Sequence, residues 1–110
     1  MAKSLDFNLL KKRYLTVKLA DEEQTVLMIG TPTKSVLDSF IALRDTISDE
    51  TVGDEAIEEL YDICAKIMSR NKAGKVITRE KLEDVFDFED VIIFIRAYTD
   101  FINEVSNSKN

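Results

Sequence analysis

The chain has 110 residues, 45% of them hydrophobic and 33% charged, with a net charge of −6. That length sets a single domain, residues 1–110, which buries roughly two-thirds of the surface its unfolded chain would expose and needs no staples to form a core. The acidic balance excludes a general affinity for nucleic acid, because counterion release requires a basic face.

Further classes fall away on composition. The longest apolar run, Val91-Ile92-Ile93-Phe94-Ile95, is far short of the ~20 residues a membrane helix needs. Met1 to Asp6 carries charge without an apolar stretch behind it, so no secretory signal is expected. One cysteine, Cys64, permits no internal disulfide and suits a reducing compartment. Three glycines and one proline leave little material for long loops and favour a helix-rich chain.

The predicted elements begin after a basic start. Residues 1–18 hold Lys3, Lys11, Lys12, Arg13 and Lys18 against Asp6 alone. Residues 1–10 are expected to be flexible. Tyr14-Leu15-Thr16-Val17-Lys18-Leu19 alternates and is rich in β-formers, and Thr25-Val26-Leu27-Met28-Ile29 repeats the pattern after a polar stretch. Two such runs predict a β-hairpin, which must pack on helices or pair with another chain's edge, since a lone hairpin is marginal in water.

Gly30-Thr31-Pro32-Thr33 ends the hairpin, with Thr31 as N-cap and Pro32 as the first helical residue. The helix that follows places Val36, Phe40, Leu43 and Ile47 on one stripe, with Leu37 and Ile41 on an adjacent face. A polar connection from Ser48 to Gly53 leads to a second helix, whose stripe is Ile57, Leu60, Tyr61, Cys64, Ile67 and Met68. Glu55, Glu58, Glu59 and Asp62 form its opposite, acidic face. They belong to an acidic block, residues 45–65, with eight carboxylates (Asp45, Asp49, Glu50, Asp54 and those four) and no basic residue. Gly74 is a plausible stop, Lys75 to Ile77 a short extended link, and Thr78 the cap of a brief helix through Phe86.

A last helix opens at Asp87 with Asp90 in the reciprocal capping position. Phe88, Val91, Ile92, Ile95, Thr99 and Ile102 form its central stripe, flanked by Phe94, Tyr98, Phe101 and Val105. Ile93 stands apart near Glu89, Asp100 and Glu104. Residues 106–110 read as a flexible polar tail. The fold class is α+β, mainly helical: an N-terminal β-hairpin followed by three to four amphipathic helices.

No constellation for chemistry emerges. The absence of histidine removes the commonest general base and metal ligand. Cys64 sits on an apolar stripe without a partner to activate it. Gly30-Thr31-Pro32-Thr33-Lys34-Ser35 lacks the second glycine of a phosphate loop, and Pro32 removes a cradling N–H. Gly74, Val76 and Glu80 match three positions of a calcium loop, but Ser69, Asn71 and Ala73 supply no carboxylate where the ion needs them. The expectation is no catalytic residue, no cofactor, no metal and no enzyme activity. What remains is apolar surface, and large exposed patches mark interaction sites. Leu37, Ile41, Ile93, Phe94, Tyr98 and Phe101 are the candidate partner-binding residues, Ile93 foremost, with Glu55, Glu58, Glu59 and Asp62 as a solvated acidic face.

The blocks Lys12-Arg13-Tyr14-Leu15-Thr16-Val17-Lys18-Leu19 and Met28-Ile29-Gly30-Thr31-Pro32-Thr33-Lys34 resemble tail assembly chaperones of long-tailed bacteriophages and prophages of Gram-positive bacteria. Only residues 12–34 carry the distinctive part. The resemblance implies a cytoplasmic protein of the bacterial host that binds the tape-measure protein and keeps that long helical chain soluble until the tail tube forms around it. It also implies self-association, absence from the finished virion, and a longer frameshifted product for which Ser106 to Asn110 is a compatible splice point. The basic start facing a neighbour's acidic block is one arrangement for self-assembly. The other class compatible with the residues is a small acidic regulatory protein that inhibits a basic nucleic-acid-processing protein by occupying its binding face. Neither reading involves nucleic acid or membrane as a direct partner.

Overall fold

The computed structural model describes residues 6–7, 12–47 and 53–107, and only the backbone of Arg44, Thr46, Ile47 and Asn107. Two strands and four helices follow in order: β1 (Leu15–Lys18), β2 (Val26–Ile29), α1 (Lys34–Ile47), α2 (Asp54–Met68), α3 (Arg79–Val85) and α4 (Phe88–Asn107). This is the expected α+β, mainly helical fold with an N-terminal hairpin. The polar connection after Ile47 lies outside the described residues up to Gly53, as do most of the ends expected to be flexible. Ser106 and Asn107 are helical, as the end of α4.

Period-two alternation builds the hairpin. The strands are antiparallel, with Leu15 opposite Ile29 and Val17 opposite Leu27. Leu27 and Ile29 are buried against the helices while Val26 and Met28 face outward. The connecting turn is organised by Asp21, whose carboxylate accepts the Thr25 amide (2.8 Å) and hydroxyl (2.6 Å). Gln24 takes the left-handed conformation there, with φ of 52°. Lys81 reaches from α3 to Asp21 (3.1 Å) and Glu23 (3.3 Å), tying the turn to the helical body. The Thr25 hydroxyl and amide, with Lys81 beside them, hold the Asp21 carboxyl well below the usual carboxylate range.

The helix after the hairpin begins two residues later than its sequence suggests. The Leu37 amide donates to the Thr33 carbonyl, so Thr33 rather than Thr31 stands at the helix entrance. The Thr31 carbonyl instead accepts from the Arg70 Nε (3.1 Å). Phe40 and Leu43 of α1 are buried and Val36 packs beside them.

The central helix is α2, which packs against α1, α3, α4 and β2. Leu60, Cys64, Ile67 and Met68 are buried as the stripe predicts, Ile57 and Tyr61 are half-buried, and Ile63 and Ala65 join the core. Tyr61 keeps a polar edge and donates to the Phe86 carbonyl (2.8 Å). The helix ends at Met68, well before Gly74, because side chains capture the chain as it leaves. The Ser69 hydroxyl engages the Ala65 and Ile77 carbonyls and the Ile77 amide. Asn71 closes the loop from within: its amide donates to the Met68 (2.8 Å) and Lys75 (2.6 Å) carbonyls and its oxygen accepts the Lys75 amide (2.9 Å). Gly74 takes φ of +72° inside this loop, which is its contribution to the turn.

The same loop runs beside β2. Asn71 pairs with Ile29 as an antiparallel bridge, the Gly30 amide donates to the Arg70 carbonyl (3.0 Å) and the Lys72 amide to the Met28 carbonyl (2.9 Å). Thr78 then caps α3 by accepting the Lys81 amide, and Asp87 and Asp90 exchange side-chain-to-amide bonds at the start of α4. Tyr98 of α4 is fully buried, edge-on to Phe40 and flanked by Phe94 and Phe101. Its hydroxyl donates to the Gly30 carbonyl at 2.9 Å, so the last helix also holds the end of the hairpin.

Asn71→Ala leaves three loop hydrogen bonds without a partner at a buried site and should cost about 2–3 kcal/mol in urea unfolding. Asp21 has a depressed folded-state pKa, so its stabilisation is complete above its unfolded value of 3.8 and is lost as pH falls below it. In unfolding midpoints measured from neutral to acid pH, Asp21→Asn should therefore be less stable at neutral pH and show a flatter decline below that value.

Candidate protein-binding surfaces

The six apolar candidates divide into two groups. Phe94, Tyr98 and Phe101 are core residues, with exposures of 4%, 0% and 7%, and offer no free contact surface. Their side of α4 turns inward because Tyr98 stacks among Phe40, Phe94 and Phe101, so a stripe covering about half the helix is consumed by the molecule's own core. The other group stays outside. Ile93 is 57% exposed, Ile41 is 38% exposed and Leu37 is half-buried. Leu37 and Ile41 share α1, whereas Ile93 is on α4, and nothing in the described contacts joins them into one patch.

Ile93 borders a groove of about 300 Å³ between β1 and the α3–α4 region. All four residues of β1 line one wall, and Phe86, Asp90, Ile93 and Ala97 line the other, with the buried Phe94 between. A second groove, about 340 Å³, lies between α1 and α2. Its walls include Leu43 and Ile63, and its rim carries Glu59, Asp62 and Lys66. Leu43 and Ile63 are buried there, 6% and 4% exposed, so most of its accessible lining is polar or small.

The acidic face forms as a solvated surface. Glu55, Glu58 and Glu59 are exposed and make no ion pair among the described residues. Asp62 lies 3.6 Å from Arg79 with both side chains partly exposed, a contact of small energetic weight.

A basic hollow of about 240 Å³ was not legible as a unit in the sequence. Lys12, Arg70 and Lys72 meet there around Tyr14, with the Lys72 ammonium 5.8 Å from the Tyr14 ring centre. Read alone, Arg70 and Lys72 are loop cations; only the pairing of their loop with β2 brings them to the basic start of the chain.

Burial holds the thiol and phenol groups of the core in their protonated forms. Burial pushes the Cys64 thiol up to about 12 and the Tyr98 hydroxyl to about 12, the latter with Arg70 opposing. Burial also raises Tyr61, with Asp87 adding to the effect. Among the described residues, no group of three or more acidic or thiol side chains is placed to hold a metal ion. In the calcium-like loop, Ser69 and Asn71 bond to the loop's own backbone. No described helix is long and apolar enough to cross a membrane.

Neighbouring residues of α4 should respond oppositely to the same substitution. Ile93→Asp leaves the fold intact, with a change within about 0.5 kcal/mol, whereas Phe94→Asp buries a charge in the aromatic cluster and abolishes cooperative thermal unfolding. Circular dichroism melts of the two variants measure this directly. Comparison with known proteins finds no matching family model, no matching curated protein and no matching solved structure.

Proposed function

We propose that this protein is a bacteriophage tail assembly chaperone, a non-enzymatic binder that holds the tape-measure protein soluble in the host cytoplasm while the tail assembles. The reading rests on the resemblance of residues 12–34, Lys12 to Leu19 and Met28 to Lys34, to that family. Surface chemistry supports it. A holdase needs apolar grooves that accept helices and a charged exterior that keeps the complex dissolved. Exposed Ile41 and half-buried Leu37 give α1 apolar surface for the first. The exposed Glu55, Glu58 and Glu59 on α2 provide the second. In this reading the acidic face does not grip the cargo but keeps the loaded complex from aggregating.

Co-expression with the tape-measure protein of the same phage tests the assignment. The expected result is that the tape-measure chain moves from the pellet to the soluble fraction and copurifies with this protein. A tape-measure chain that stays insoluble, with a basic nucleic-acid enzyme copurifying from infected cells instead, would replace the reading with the inhibitor alternative.

A further inference from the structure

The outer face of the hairpin reverses the charge of the molecule. Alternation turns Leu15, Val17, Leu27 and Ile29 towards the helices, so Thr16, Lys18, Val26 and Met28 share the opposite face. That face stays uncovered: Val26 and Met28 are 55% and 40% exposed, with Thr16 and Lys18 exposed beside them. Tyr14 extends it. The Tyr14 ring lies over Gly30, 3.7 Å from where a Cβ would stand, and reaches the basic hollow of Lys12, Arg70 and Lys72. Four cations therefore bracket a small apolar patch, Lys18 at one end and the hollow at the other. None of the four makes an ion pair among the described residues. Two carboxylates of the adjoining turn, Asp21 and Glu23, are held by Lys81 instead. In a chain with 21 acidic and 15 basic residues, this face is a local excess of positive charge.

We propose that this face docks an acidic segment of another protein, whose apolar side chains cover Val26 and Met28 while its carboxylates meet the cations at either end. Charge draws the segment in, and the aliphatic patch holds it. Arg70 is set in place for a carboxylate. Its Nε is spent on the Thr31 carbonyl (3.1 Å), which fixes the guanidinium and leaves the terminal nitrogens to donate outward. Lys72 stands against the Tyr14 ring, 5.8 Å from its centre, on the loop that Asn71 closes from within. A single-stranded nucleic acid fits this face less well. It needs successive rings to stack on, and only Tyr14 is offered, half-buried and already met by Lys72. A second copy of the chain also fits less well. Its exposed Glu55, Glu58 and Glu59 stand on α2, which shows no exposed large apolar side chain to cover Val26 and Met28.

Fluorescence anisotropy of a labelled peptide alternating Glu and Leu, titrated with the full chain, tests the site. Saturable binding is expected at low salt, weakening as salt rises. Lys18→Glu and Lys72→Glu should each weaken it about fivefold, and Val26→Ser about threefold with the salt dependence unchanged. All three side chains are exposed, so circular dichroism melts of the variants should stay close to wild type. If Val26→Ser fails to fold, a peptide alternating Glu and Ser supplies the same comparison and should bind clearly less. No binding of the Glu–Leu peptide overturns the proposal, as does binding indifferent to both charge reversals or equal binding of the Glu–Ser peptide. Tighter binding of oligothymidylate overturns it in favour of nucleic acid. A wild-type dimer that Lys18→Glu dissociates in sedimentation overturns it in favour of a second copy. The site does not rest on the chaperone reading: Ile41→Asp on α1 should leave peptide binding unchanged, so the two readings fail separately.

Discussion

Everything else in this fold depends on how the hairpin is carried. Two four-residue strands bury too little to stand alone, so their stability is borrowed from the helical body through the end of β2. Three connections converge there: the Arg70 carbonyl on the Gly30 amide, the Tyr98 hydroxyl on the Gly30 carbonyl, and the Arg70 side chain on the Thr31 carbonyl. They come from the α2–α3 loop and from α4, elements remote in sequence. Asn71 matters because it shapes the loop that delivers two of them. The buried Tyr98 matters twice, as the centre of the aromatic cluster and as the donor that fixes where the hairpin ends.

That arrangement decides what is left for binding. Docking the hairpin uses the inner faces of both strands and one edge of β2. It leaves the edge of β1, the groove beside Ile93, and the outer surface of α1. These faces lie on separate elements, the strand edge on β1 and the exposed apolar surface on α1. The acidic side of α2 stands away from the core stripe of the same helix, consistent with keeping a loaded complex in solution.

Local signals in the sequence marked what local physics controls. The capping pair Asp87–Asp90, the Thr78 cap and the alternation of the two strands need only nearby residues, and each is formed. The start of α1 depends on a distant partner, Arg70, which takes the carbonyl of Thr31, and the end of α2 on local side-chain bonds of Ser69 and Asn71 that turn the chain before Gly74. The same reason explains the candidate surface. Helical spacing put Phe94, Tyr98 and Phe101 on one stripe, but spacing alone does not say whether that stripe meets the molecule's own core or a partner. Ile93 was readable because its charged neighbours Glu89, Asp100 and Glu104 leave it no buried side to join. The basic hollow was unreadable because its residues converge only once the loop pairs with β2.

If this chain shields an aggregation-prone helical partner through α1, as we propose, it lowers the light scattering of that partner. A tape-measure segment diluted from denaturant is followed with and without the chain, and with the Ile41→Asp variant, whose side chain is exposed and whose fold should persist. The wild type should suppress scattering in proportion to its concentration, and the variant should suppress it markedly less. Scattering that rises equally in all three mixtures would contradict it.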